Sequence, residues 1–529
     1  LERAGDEIAR LRESGTLTDR PTQPAGPAPP LADAPSPARG LFSAAAEASL
    51  AATGLWGLAV PEAFGGSGAT MLDLARSITR LAADVPPAAG MLAVHSSIGA
   101  VPAVVAFGTE SQRGRLLPPL AAGRPLSIFA ATEADAGCDL GRVASMLERR
   151  DGRLLLTGTK MFITGATYGR LVKLLAILDG KPAIAIVQLP DADTASFRLR
   201  HYSLHPLKHT HNAALEFSGF EVDEADLLVP PDGCDGMAIV WHGLNRGRTT
   251  LAAQAAGTLR LLLRQAAAYA SRRETWGRPI ATRQLVQGRL GRIAASIVAC
   301  DAVSSWAAAA IDAGGGGEWE AITAKVVASG CVREAAVDAL GVHGGRAFLV
   351  GHPLGDSFHD HLAVGVYEGE SDLLGLALFR GIAKGHPLAG IGRDAAVFTR
   401  VGAWLAWRAA AWGRGSHSED AAILDRRLRG HARLARRGLA SMALDIDRSI
   451  RRHGRSLADQ QLVIGELSSR VREFTSVLAV CHHADAEGRD ATVEAGDVWC
   501  RLALSRAIGR RPSAADLAAV AALGRNSAS

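Results

Sequence analysis

The chain has 529 residues, 48% of them hydrophobic and only 5% aromatic, enough for large cores and about two to four domains. Its net charge of +5 is spread over many arginines, which suits anionic ligands such as phosphorylated cofactors but is too diffuse for a nucleic-acid surface. Six cysteines without paired spacing argue against a disulfide framework and for a reducing, cytoplasmic setting.

In chain order, Leu1–Leu11 carries a short helical pattern, in charged sequence where no signal peptide is read. Prolines from Pro21 to Pro37 then predict a surface arm over residues 1–40. Helical periodicity covers Leu41–Thr53, Met71–Ala83 and Ala89–Phe107, the last with a break expected near Pro102; together these predict an N-terminal helical domain over 41–126. Short apolar or alternating segments follow at Leu154–Thr157, Met161–Thr164, Leu171–Leu178, Ala183–Leu189, Phe197–Leu204 and Ala213–Val222. Asp-Gly, Gly-Thr and Pro-Asp signals separate them, predicting antiparallel strands in a middle β domain over 127–230. No uninterrupted apolar run reaches membrane-spanning length; Leu174–Leu189 comes nearest and is broken by Asp179-Gly180-Lys181.

Helix returns from Met237 through Ala309, over Glu318–Leu340 and over Ser371–Ile382, where Gly385 and Pro387 stop it; this is read as a four-helix-bundle domain over 231–386. An additional arginine-rich helical domain is expected over 387–529. There, Leu467, Val471, Phe474 and Leu478 form one apolar stripe, and Leu424, Leu428, Ala435, Leu439 and Met442 suggest another. The fold class is therefore α+β, mostly α.

Four stretches carry chemistry. Ser127–Asp139 runs from an apolar strand into a loop of small residues with backbone donors and a hydroxyl, able to lie on a flat cofactor. In Gly158–Gly165, Phe162 and Thr164 are two apart and share one face of a strand. Tyr269–Gln284 ends a helix in arginines, turns at Gly277-Arg278-Pro279 and restarts; arginine grips a pyrophosphate through paired donors. Gly365–Asp372 sets the carboxylate of Glu368 beside Gly369, where lack of a side chain permits close approach to a ligand. Each stretch taken singly is commoner as plain structure. The Cys481-His482-His483 run with Asp485 has the wrong spacing for a metal site, so no metal is expected. No serine stands in a nucleophile elbow, and no glycine-rich loop has Walker or dinucleotide spacing.

In this order, and with Gly57–Glu62, Gly65-Gly66 and Gly344–Phe348, the sequence resembles the acyl-CoA dehydrogenase family from about Leu41 to Lys384. The resemblance implies FAD. It sets Phe129, Ala131 and Thr132 along the flavin, Phe162 and Thr164 near its N5, and Cys138 at the edge shared with substrate. Arg273, Thr275 and Gln284 would hold the pyrophosphate from a neighbouring subunit. Gly341, Gly344 and Gly345 would run beside the adenosine, with Glu370 and Asp372 on the cofactor side. Asn245, Arg248 and Gly369 would contact the thioester, and Glu368 would be the catalytic base. The implied reaction is α,β-dehydrogenation of an acyl thioester, from acyl-CoA or an acyl-carrier protein, to the trans-2-enoyl product, with an electron-transfer-flavoprotein-like acceptor.

The sequence departs from the family pattern at several positions: Cys138 for serine, Ala134 for proline, Gly165 for asparagine, Gly341 for glutamine, His359 for arginine and Glu370 for threonine. Two alternatives follow, a flavin oxidase or monooxygenase on the same fold and a degenerate thioester-binding scaffold. Glu370 is expected to point to solvent or pair with an arginine of a neighbouring subunit. The arginine face of the C-terminal extension offers peripheral membrane or carrier-protein contact, and resemblance to extended members implies a homodimer.

Overall fold

The computed structural model describes residues 43–390, 402–408 and 422–528, together with residues 7 and 10. Most of the expected N-terminal arm thus lies outside the described residues. The chain forms two compact units: residues 1–258, 308–316 and 345–364 make the first, and residues 259–307, 317–344 and 365–529 the second.

The first unit opens with helices α1 (Ala44–Ala52), α2 (Met71–Ala82), α3 (Pro86–Ala93), α4 (Ala100–Phe107) and α5 (Glu110–Ala121). Helix α2 begins where Thr70 accepts the Asp73 amide, and it buries Met71, Leu74, Ala75, Ile78, Leu81 and Ala82, the one-face spacing of an amphipathic helix. Its first two amides, Met71 and Leu72, donate to the Asp312 carboxylate at 2.8 and 3.0 Å. Thr109 and Gln112 form a reciprocal capping box at the start of α5.

The break expected near Pro102 falls earlier. A π-helical turn, Val94–Ile98, ends at Gly99, where an added Cβ would stand 2.6 Å from Ser127 Oγ. Pro102 instead occupies the first turn of α4, where its missing N–H leaves no bond unmade.

The sheet contains β1 (Ser127–Ala130), β2 (Met146–Arg150), β3 (Arg153–Thr164), β4 (Leu171–Leu178), β5 (Lys181–Gln188), β6 (Phe197–His201), β7 (Asn212–Val222) and β8 (Leu227–Leu228). The strand order is β6-β7-β3-β2-β4-β5-β8, with β1 on β4. Most pairs are antiparallel as expected, but β1 and β2 both pair with β4 in parallel. The two segments expected at Leu154–Thr157 and Met161–Thr164 are one strand, β3, interrupted by register shifts at Leu156/Gly158 and Lys160/Ile163. Strand β4 is apolar apart from the buried Lys173, and both its faces are covered: Leu171 and Leu175 pack with Val101, Val104, Leu117 and Leu120, while Val172, Leu174 and Ala176 pack with Leu156, Val187 and Phe217.

The second unit holds the later part of α6 (Gly236–Arg272), a hairpin of β9 (Glu274–Thr275) and β10 (Arg278–Pro279), and most of α7 (Gln284–Asp312). Helix α8 (Glu318–His343) belongs here, whereas α9 (Pro353–Ala363) lies in the first unit. Helices α10 (Ser371–Lys384), α11 (Arg426–His453), α12 (Gln461–Glu487), α13 (Asp490–Ala507) and α14 (Ala514–Asn526) complete the second unit.

In α11 the expected stripe is buried at Leu428, Ala435 and Met442, but Leu424 is exposed because the helix starts only after the Asp425 cap. Among the described residues two helical segments, Pro86–Phe107 and Gln284–Asp312, are long and apolar enough to cross a membrane. That corrects the expectation of none; 67% of each apolar window is buried within the protein, as in core helices.

Candidate active site

In the first unit, β1 delivers Phe129 to a half-buried position, with the Lys173 ammonium 4.2 Å from its ring centroid. The loop beyond it is folded back by Glu133. Its carboxylate accepts the Ala144 amide at 2.7 Å, the Ser145 amide at 3.0 Å, the Ser145 hydroxyl at 2.6 Å and the Lys160 ammonium at 2.6 Å. Burial pushes the fully buried Lys160 down to about 8, against the pull of Glu133. Burial would raise Glu133, but its bonds from Lys160, Ser145 and Ala144 hold it below the usual carboxylate range. Ala131 is buried, Thr132 half-buried and tied to β3 through the Met161 amide at 2.9 Å, and Cys138 exposed and in no disulfide.

The register shift after Lys160 throws Phe162 outward. Its ring is 54% exposed, edge-on to Tyr202, and its backbone amide donates to the Tyr202 hydroxyl. Thr164 is half-buried and donates to Asn212 Oδ1 at 3.2 Å. Asn245 and Arg248 sit together one helical turn apart on α6, both buried. Arg248 donates to Asn245 Oδ1 at 3.2 Å, and Asn245 donates to the Gly316 carbonyl at 3.0 Å. His359 stacks on His205 at 5.0 Å, and Asp360, raised by burial to about 6, accepts the Leu207 amide.

In the second unit the β9–β10 hairpin displays Arg273 and Arg278, with Thr275 half-buried, Gln284 exposed and Trp276 89% exposed. The Arg283 guanidinium lies 5.4 Å from the Trp276 ring centroid. Gly344 (φ +64°) is exposed at the end of α8; Gly345, the first residue of the 345–364 segment of the first unit, is exposed as well. The departure at Gly341 has a local explanation: an added Cβ would meet the Arg289 guanidinium at 2.1 Å, so an arginine fills the space of the absent side chain. Gly165, in the first unit, is likewise packed, its φ of +78° and the nearby Met91 leaving no room for a side chain.

Glu368 lies on the turn between α9 and α10 at φ +58°, followed by Gly369 at φ +99°. Six non-glycine residues among those described have positive φ. Asp151 and Asp179 head Asp-Gly turns, where this is ordinary; Phe162, Trp276 and Glu368 fall in the sequence-selected stretches. A bulky residue so held costs about 1–3 kcal/mol and persists only where its surroundings over-determine it.

The turn is indeed over-determined. The fully buried Lys325 donates to the Gly365 carbonyl at 3.0 Å, the Gly369 carbonyl at 2.6 Å and the Ser371 hydroxyl at 3.2 Å. Glu370 caps α10, its carboxylate accepting the Asp372 and Leu373 amides at 2.9 and 3.0 Å. Asp372 is exposed in the first turn of α10.

Sequence reasoning missed Lys325, Lys160, Glu133 and Arg289. Lys325 had a signal: it is the lone charge in the apolar run Ala321–Ala328, on the face of Ile322 and Ser329.

Along the chain, helices precede the sheet and helices follow it, a helix–sheet–helix order. Residues 29–124 match the family model "Acyl-CoA dehydrogenase, N-terminal domain" and residues 234–383 match "Acyl-CoA dehydrogenase, C-terminal domain". An acyl-CoA dehydrogenase of Bacillus subtilis is 31% identical over 338 residues, covering 63% of this chain and 88% of the relative. The very long-chain specific acyl-CoA dehydrogenase of Bos taurus mitochondria is 25% identical over 487 residues, 86% of this chain and 73% of that one. Among solved structures, an acyl-CoA dehydrogenase of Bacillus anthracis complexed with FAD superposes with a TM-score of 0.75 at 20% identity, over 92% of this chain and 88% of that one. The chain belongs to the acyl-CoA dehydrogenase family and is an oxidoreductase.

Proposed function

We propose that the protein removes hydrogen across the α,β bond of an acyl thioester, with Glu368 as base and FAD as cofactor. The observation that carries this reading is the conformation of Glu368, a carboxylate held at φ +58° at the start of a capped helix. Such strain, clamped from both sides, is the mark of a side chain placed for chemistry.

The residues fit FAD. The first unit offers the exposed Phe162 ring, the Thr132 hydroxyl and the half-buried Phe129. Arg273 and Arg278 are exposed donors suited to a pyrophosphate, and at the exposed glycines 344 and 345 backbone can approach a ligand closely. FAD, when bound, supplies the acceptor for the β-hydrogen as hydride.

The remaining work belongs to this chain. A thioester α-proton is only weakly acidic, so the base must be aligned with it, and alignment is worth several kcal/mol. Glu368 takes that proton on its carboxylate. Asn245 and Arg248, locked by their mutual bond and by the Gly316 carbonyl, support the thioester end. The reading includes an electron-transfer-flavoprotein-like acceptor and a homodimer, both by resemblance to the family; chain length of the acyl group is left open.

Anaerobic addition of an acyl-CoA panel to the flavin-loaded protein is the test. Bleaching of the flavin absorbance is expected with at least one thioester; no bleaching with any would favour a degenerate scaffold, and rapid reoxidation of the bleached flavin by dioxygen would favour an oxidase. Glu368→Gln keeps nearly the same shape, so thioester binding should persist while turnover falls by about three orders of magnitude or more. Near-normal turnover would move the base elsewhere.

A further inference from the structure

The buried lysine of α8 calls for a reason. Lys325 has no solvent exposure, and a methionine or leucine there would fill the space without desolvating a charge. An ammonium in such a place is tolerated when its N–H groups are bonded. Here the three bonds go to the Gly365 carbonyl, the Gly369 carbonyl and the Ser371 hydroxyl.

These acceptors bracket one short segment, Val366 to Glu368. Gly365 lies beyond the end of α9, and its carbonyl also accepts the Ser371 amide at 3.0 Å and the Ser371 hydroxyl at 3.1 Å. Ser329, one turn along α8 from Lys325, hydrogen-bonds the same hydroxyl at 3.1 Å. One ammonium thus closes the turn at its two ends, and the residue with the strained backbone sits between them.

We propose that Lys325 is a positioning residue for the base: it clamps the 365–371 turn so that Glu368 is held in its left-handed conformation before substrate arrives. The inference rests on the assignment of Glu368 as base. On this reading Lys325 works through the turn and not on the thioester. Its loss acts through geometry, and misplacing a reacting group by about 1 Å costs on the order of 100-fold in rate.

The experiment uses the flavin-loaded full chain and the acyl-CoA that bleaches the wild-type flavin fastest. Lys325→Met fills the same volume without donors. Expected are a fall in kcat of about 100-fold with KM changed less than about threefold, and a larger α-deuterium isotope effect on flavin reduction. Amide exchange without substrate should quicken in the 365–371 peptide alone. Ser371→Ala keeps the ammonium and its two carbonyl bonds and should cost about three- to tenfold, with the same localised exchange; it decides the matter if Lys325→Met does not fold. An unchanged kcat and isotope effect, or a loss in which exchange quickens throughout the second unit, would overturn the proposal. Glu368→Gln separates the two layers: if it is inactive while Lys325→Met and Ser371→Ala are normal, only the clamp falls, and if it is active, the base assignment falls and the clamp with it.

Discussion

Glu133→Ala puts the loop after β1 to a quantitative test. The substitution strips the Ala144 and Ser145 amides of their acceptor and leaves Lys160, with no solvent exposure, only the Ala131 carbonyl at 3.2 Å. Breaking a buried pair by deleting one partner costs about 3–5 kcal/mol. Lys160 has an escape, because burial already lowers it to about 8 with Glu133 in place; without Glu133 it sheds its proton at neutral pH. The folded variant then binds one proton fewer than the unfolded chain, so its stability rises with pH by about 1.4 kcal/mol per unit. The wild type, with Lys160 charged in both states up to about 8, lacks that slope. The deficit should therefore shrink by about 2 kcal/mol between about pH 6 and about pH 7.5. Native-state amide exchange of β3 across that range measures it, and adding Lys160→Met should abolish the slope. A deficit below about 1 kcal/mol, or one flat with pH, would refute the account of this pair as a buried, mutually dependent strut.

Two further outcomes follow from single contacts. Glu370→Ala should loosen the first turn of α10 by about 1 kcal/mol, read as faster exchange there, whereas Glu370→Thr keeps a capping oxygen and should leave the pH profile of flavin reduction unchanged; a lowered apparent pKa would mean the carboxylate faces the cofactor instead. His95 accepts the Ser127 amide on Nδ1 and donates from Nε2 to the Leu120 carbonyl, and burial holds it at about 4 against an ordinary 6.5. With the folded value depressed, its contribution is intact above about 6.5 and lost as pH falls toward about 4, by up to about 3 kcal/mol; identical acid titrations of the wild type and His95→Gln by amide exchange of β1 would sink this.

Local rules made much of the fold legible. The periodicity that predicts Met71–Ala83 produced a helix over Met71–Ala82, and the alternating and apolar runs from Leu171 onward became strands. What the sequence hid was long-range. The parallel pairing of β1 with β4 joins segments separated by some forty residues and leaves no local trace. The register shift at Lys160 is equally silent, yet it turns Phe162 outward and breaks the expected alternation. At the candidate site, Glu368 was conspicuous through its neighbouring glycines, but the ammonium that holds its turn lies forty-odd residues earlier; its place as the lone charge of an apolar helical run marks it as buried without showing which turn it reaches. The same holds at Gly341, where the glycine was visible as a departure and the Arg289 side chain that occupies its place was not. Glu370 has a local role that its charge alone did not suggest, its carboxylate accepting the nearest backbone amides at the start of α10.

The Asp312 carboxylate that receives the amides of Met71 and Leu72 has a consequence for synthesis. Ala308 and Ile311 belong to the same core cluster as Leu74, Ile78 and Leu81, so the N-terminal helices are completed by sequence made about 240 residues later. At roughly 5–20 residues per second, that is a wait on the order of ten to fifty seconds on the ribosome. During it, the apolar face of α2 has part of its native cover still unmade and its first turn lacks its distant cap. A chain released before residue 312 would keep that face uncovered for good, which makes the first unit a substrate for chaperones until the segment at 308–316 arrives.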